Sequence, residues 1–96
     1  MYLKKHGSGD NLIVAVCDDE LIGRTLRQGN IVVTISENFY KGEVVSEKEI
    51  IESLKGATNA NIFGDMSIEC AVKCGCVDPA CVIKVDGVPH AQIFRI

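Results

Sequence analysis

The sequence predicts an α+β domain: a mainly antiparallel β-sheet, two helices packed on one of its faces, and a C-terminal β-hairpin. Three observations carry that expectation. The strand-like and helix-like segments follow the order β-β-β-α-(β)-α-β-β, which lacks the strict alternation of a parallel βαβ array. Asp86-Gly87 stands between two apolar runs, the strongest short-range hairpin signal, because glycine supplies the positive φ of a two-residue turn. Ser46 and Glu49 have the spacing of a capping box, in which two orphan backbone donors at a helix start are satisfied by side chains.

Residues 2–5 read as a short edge strand, and the His6–Asn11 cluster of glycine and polar residues as a turn. Leu12–Cys17 is a continuous apolar run of strand length, the pattern of a strand covered on both faces. Asp18-Asp19-Glu20 ends it. Leu21–Leu26, interrupted by Gly23, fits either one helical turn or a bent strand. Gln28-Gly29-Asn30 is a turn, and Ile31–Ile35 is a strand rich in β-branched residues that suit a pleated surface. Ser36–Gly42 is an aromatic loop leading into Glu43–Val45. The helix over 46–56 places Ile50, Ile51 and Leu54 on one stripe, with Gly56 at its C′ position. Thr58–Phe63 fits a strand or an extended link. A second helix runs from about Met66 to Cys74, stopped by Gly75. The hairpin then pairs Val85 with Val88, Lys84 with Pro89, Ile83 with His90, Val82 with Ala91 and Cys81 with Gln92, over strands near 81–85 and 88–94. One ribbon face reads Cys81, Ile83, Val85, Val88, His90, Gln92, Phe94. A histidine and a glutamine thus share an otherwise apolar face.

Ninety-six residues, 47% of them hydrophobic, make a single domain over 1–96 with enough core to fold without disulfides or metal. No apolar run approaches the roughly 20 residues of a membrane span. The first ten residues have no apolar h-region. A cytoplasmic protein with no membrane partner is therefore expected. Ten basic residues against 13 acidic ones give a net charge of −3, which does not favour binding by phosphate neutralisation. Lys4, Lys5, Arg24 and Arg27 would form a basic patch only if the first strands pair. Five cysteines, an odd number, argue for reduced thiols.

Four cysteines fall within twelve residues, as C-x3-C-x-C-x4-C: Cys70, Cys74, Cys76 and Cys81. This is not the paired C-x2-C spacing of zinc or iron–sulfur sites, and free cysteine is a common buried small residue. No metal and no cofactor is expected. At Cys17-Asp18-Asp19-Glu20, adjacent carboxylates raise a thiol's pKa, the wrong direction for a nucleophile, so a core residue followed by a polar turn is the better account. His6 precedes Gly7-Ser8-Gly9, whose backbone could form an anion-holding nest, although the pattern is not G-x-G-x-x-G. His90 reads either as a ring held by a backbone carbonyl or as a titrating group at a site. Phe39, Tyr40 and Lys41 interleave aromatic and basic character, as base-stacking surfaces do, or else pack a hairpin corner.

The motifs Leu3–His6 with Ser8-Gly9, Val14–Asp18 with Glu20–Gly23, Phe39–Glu43, Ala57-Thr58 with Asn61, and Gly87–Gln92 together resemble the archaeal family of uncharacterised proteins called domain of unknown function 424. The resemblance runs over nearly the whole chain. It implies a small archaeal cytoplasmic protein and carries over no catalytic residues. It runs through His6, Asp18, the Phe39-Tyr40 pair, His90 and Gln92, and not through the four clustered cysteines. The residues alone do not reveal what the protein does. The reading they favour is an accessory binding module for a protein or RNA partner, the RNA or translation-related component resting on the family's archaeal context. The loops at 6–10, 37–42 and 87–92 would form the surface. Candidate binding residues are His6, Asp18, Phe39, Tyr40, Lys41, His90 and Gln92; no catalytic residue is assigned. One alternative is a small enzyme or metal-dependent hydrolase, with His6 and His90 as ligands or acid–base groups, Asp18 as orienter and Gln92 as polarising donor. Another is a homodimeric structural protein, joined through the apolar ribbon face, with no small ligand.

Overall fold

In the computed structural model, which describes residues 1–7 and 11–95, the expected α+β architecture is present. Its elements are β1 (Tyr2–His6), β2 (Ile13–Cys17), β3 (Thr25–Gln28), β4 (Ile31–Thr34), α1 (Glu37–Tyr40), β5 (Glu43–Val44), α2 (Glu47–Gly56), β6 (Asn59–Phe63), α3 (Asp65–Lys73), β7 (Ile83–Val85) and β8 (Val88–Phe94). Six strands form one sheet in the order β5-β1-β2-β6-β8-β7, and β3 and β4 form a separate two-stranded ribbon. All neighbours in the large sheet are antiparallel except β2 and β6, which run parallel.

The alternation of side chains along β2 divides the core in two. Val14 and Val16 face α2 and α3, packing with Ile50, Leu54, Ile62, Ile68 and Ala71. Ala15 and Cys17 face the other way, into a second cluster with Leu26, Ile35, Tyr40, Phe63 and Val85. β2 is thus covered on both faces, which is why its sequence is apolar without a gap. The two long helices lie on one face, as expected; the β3–β4 ribbon and α1 cover part of the other.

Local chemistry accounts for most element boundaries. Asp86 and Gly87 both have positive φ, 53° and 77°, and the hairpin pairs Val85 with Val88, Lys84 with Pro89 and Ile83 with His90. Asp86 also anchors the ribbon: its Oδ2 accepts from the Arg27 N–H, and its own N–H donates to Gln28 Oε1. Ser46 Oγ accepts the Glu49 N–H and starts α2. Arg95 Nη1 donates to the carbonyls of Leu54 and Ala57 at the far end of the same helix, at 2.9 and 2.6 Å.

Several expectations need correction. β7 begins only at Ile83, because Asp78 Oδ1 accepts the Ala80 N–H and Pro79 opens a 3-10 turn over Pro79–Cys81, so Val82–Ala91 and Cys81–Gln92 are not ladder pairs. The aromatic loop at 36–42 contains a four-residue helix, since Ser36 Oγ caps the Phe39 N–H. Gly56 lies inside α2, and Ala57 is its C-cap. β1 is not the sheet edge; the two-residue β5 flanks it. Lys4 and Lys5, as successive strand residues, point to opposite faces and do not form one patch. No described helix is long and apolar enough to cross a membrane.

Candidate functional site

Strand register sets out the sheet face opposite α2 and α3 in three rows. Tyr2, Cys17, Phe63, His90 and Ile83 form one; Lys4, Ala15, Asn61 and Gln92 the next; His6, Ile13, Asn59 and Phe94 the third. α1 lies over the β1–β2 side of this grid. It is fastened there by the Lys4 ammonium, which donates to the Asn38 carbonyl at 2.6 Å, and by His6 Nε2–H, which donates to the Phe39 carbonyl at 2.9 Å. What stays open is the far side of the second and third rows, Asn59, Asn61, Gln92 and Phe94, together with Ile83 at the end of the first. Phe94 is 75% exposed.

A chain of five rings borders this floor. His6 stacks on Phe39 with centroids 4.5 Å apart, Phe39 meets Tyr40 edge-on, Tyr40 meets Phe63 edge-on, and Phe63 stacks on His90 at 3.9 Å. The two histidines therefore terminate one continuous aromatic line. His90 Nδ1–H donates to the Ile62 carbonyl at 2.8 Å, which leaves Nε2 as an acceptor in the neutral ring. Burial lowers the pKa of His90 below its ordinary 6.5, and the Ile62 bond opposes that only in part. Gln92, one row on, donates from Nε2 to Asn61 Oδ1 at 3.0 Å.

Asp18 stands apart from this surface. It is 2% exposed. Its Oδ1 accepts from the Ser67 N–H at 2.9 Å and the Ser67 hydroxyl at 2.7 Å, while Oδ2 accepts from the Met66 N–H at 3.0 Å. It caps α3 from the position just after β2, in place of a side-chain cap from Gly64, the residue before the helix. Gly64 has φ 113°, and a Cβ there would run into the Asp18 carboxylate. Tyr40 is buried, and that burial pushes its hydroxyl pKa up. Lys41 follows α1 with its side chain exposed. Burial, reinforced by Asp18 and Asp19, pushes the Cys17 thiol up to about 12.

The structure thus brings His6, Phe39 and Tyr40 together, and brings His90 next to Gln92, on one sheet face. Asp18 is removed to a helix cap. His6 and His90 sit three strands and two rows apart, roughly 14 Å across the sheet and roughly 13 Å along it at ordinary strand geometry, so these three side chains do not converge. Of the loop at 6–10, Ser8, Gly9 and Asp10 lie outside the described residues. Among the described residues no group of three or more His, Cys, Asp and Glu side chains is placed to hold a metal ion. The sequence places Phe94 on the face of His90 and Gln92 without marking it as a binding residue, and it does not show Asn59 and Asn61 as floor residues. Alternation along 58–63 could have placed both asparagines on the Phe63 face, had that segment been read as a strand.

No curated protein matches the chain. A crystal structure described as that of an uncharacterized conserved protein from Methanopyrus kandleri superposes on it with a TM-score of 0.80 at 28% sequence identity, covering 99% of this chain and 92% of that one. The model of the family described as "Protein of unknown function (DUF424)" matches residues 6–96, and so spans the aromatic line from His6 to His90 as well as Gln92. The chain belongs to that family.

Proposed function

We propose that the protein is an accessory binding module that presents the open part of its sheet face to a protein partner. The observation that carries this reading is Phe94: a phenyl ring 75% exposed beside the amides of Asn59, Asn61 and Gln92, on the part of the sheet face that α1 leaves uncovered. An exposed aromatic among hydrogen-bonding groups that keep little net charge is the composition of a protein-interface core. The Asn61–Gln92 bond leaves Gln92 Oε1 and the Asn61 amide nitrogen without a partner among the described residues. A net charge of −3, and a Lys4 ammonium already bonded to Asn38, favour protein over RNA. Binding is favoured over hydrolysis because both Asp18 oxygens serve α3 and each histidine has one ring nitrogen fixed by a backbone carbonyl.

The test is a photo-crosslink. With Phe94→p-benzoylphenylalanine, illumination in a lysate of the source cells should give a discrete protein adduct that excess unlabelled wild-type chain competes away. The same group at Glu69, exposed on α3 on the opposite side of the sheet, should give none. An adduct lost on ribonuclease treatment would replace the protein by RNA, and equal adducts at both positions would sink the assignment of this face.

A further inference from the structure

A second surface lies at the β1 edge of the sheet, away from the open floor. β5 pairs only with Tyr2 and Leu3, and Val45 N–H closes on the Met1 carbonyl. Beyond Leu3, the outer edge of β1 at Lys4–His6 has no strand beside it among the described residues. In an antiparallel pair the outward bonds come from alternate residues, so after Leu3 it is Lys5 whose N–H and C=O point out of the edge. The chain leaves at Gly42, where a Cβ would collide with the Leu3 carbonyl oxygen. The glycine keeps that end of the edge free of side-chain cover.

This edge faces a cleft of about 540 Å3 between β1 and α2, lined by Leu3, Lys4 and Lys5 of β1, Gly42 and Glu43, and Glu49, Glu52 and Ser53 of α2. Glu49 and Glu52 are three apart on α2 and so share one helix face. With Glu43 they set three carboxylates against the single Lys5 ammonium, because Lys4 is turned to the other face and bonded to Asn38. An unpaired strand edge is a template for main-chain pairing, and proteins usually block one with charge or cover. Here the edge itself carries one cation, Lys5, and the negative charge stands beside it, Glu43 on β5 and Glu49 and Glu52 on α2.

We propose that this cleft takes an extended peptide segment carrying Lys or Arg, added as a strand to β1 beside Lys5, its basic side chains reaching Glu49, Glu52 and Glu43. The main chain supplies the pairing and the carboxylates supply the choice of sequence. Every second side chain of the added strand faces α2, so basic residues at alternate positions are selected.

Acetyl-(Lys-Val)3-amide and acetyl-(Glu-Val)3-amide, titrated into the full chain and followed by amide NMR, test this at low ionic strength. The basic peptide should shift Lys5, Glu43 and the Glu49–Ser53 amides saturably and slow hydrogen exchange at the Lys5 N–H; the acidic peptide should not. Glu49→Gln with Glu52→Gln, both exposed positions, should weaken binding about five- to tenfold, the effect of losing two solvent-exposed ion pairs. Shifts that fail to saturate, equal response to both peptides, or unchanged affinity in the double variant would overturn the proposal. So would concentration-dependent dimerisation that protects Lys5 without peptide, which would make a second copy the occupant.

Discussion

His90 is held twice, by its Nδ1–H bond to the Ile62 carbonyl and by stacking on Phe63. Protonating the ring would leave a cation partly out of water, so burial lowers the native pKa below the 6.5 of an unhindered histidine. Between those two values the unfolded chain binds more protons than the native one. The contribution of His90 to stability is therefore complete above pH 6.5 and declines as pH falls toward and through the native pKa. The midpoint of thermal unfolding should fall more between pH 7 and pH 5 in the wild type than in His90→Gln, and the gap between the two should narrow on acidification. Parallel profiles would mean the native ring titrates as freely as the unfolded one. The position of His90 was legible from the hairpin alone, because the parity of a two-residue turn places it opposite Ile83. The role of Asp18 was not: its partners at Met66 and Ser67 lie 48 and 49 residues away, and no local pattern announces a cap supplied from that distance.

At the scale of elements, α2 shows what local signals can and cannot carry. Ser46 Oγ accepts the Glu49 N–H at 3.4 Å, as the spacing of those residues predicts. Ser46→Ala should cost about 1 kcal/mol, the ordinary loss of an N-cap hydroxyl. A chemical denaturation midpoint unmoved in the variant would show that the helix does not depend on this cap. Its C-terminal end was expected near Gly56, but what holds that end was invisible in advance, because Arg95 reaches the last carbonyls of α2 from beyond β8. α1 was missed for a different reason. Four residues are too few to show a 3.6-residue period, and only the Ser36–Phe39 cap marks them. The late start of β7 did have a signal, since Asp78-Pro79 is a turn opener, and a continuous apolar reading from Cys81 overrode it.

For the whole molecule, the six-stranded order could not be deduced, because register within a hairpin is local whereas the pairing of β2 with β6 joins residues nearly fifty positions apart. The fold class was legible, including helices on one face, since amphipathic helices and a continuous apolar β2 imply a covered sheet. The aromatic line from His6 to His90 was legible only as separate candidates. Its continuity depends on α1 bridging strands that the sequence does not show to be neighbours.

The cap that Asp18 places on α3 also orders events in time. A helix of nine residues has little stability in isolation, and its first N–H groups find their acceptor only after a loop of about fifty residues has closed and β2 lies beside β6. The route to the native state should therefore register the sheet first and fasten α3 late. Asp18→Ala, by orphaning buried donors, should remove about 2–3 kcal/mol. Nearly all of that loss should appear as faster unfolding, with refolding hardly slowed and a φ-value below about 0.3. Stopped-flow measurement of both rates decides it: a refolding rate that falls by the full factor of the stability loss would place the cap in the transition state, and α3 among the first elements to form.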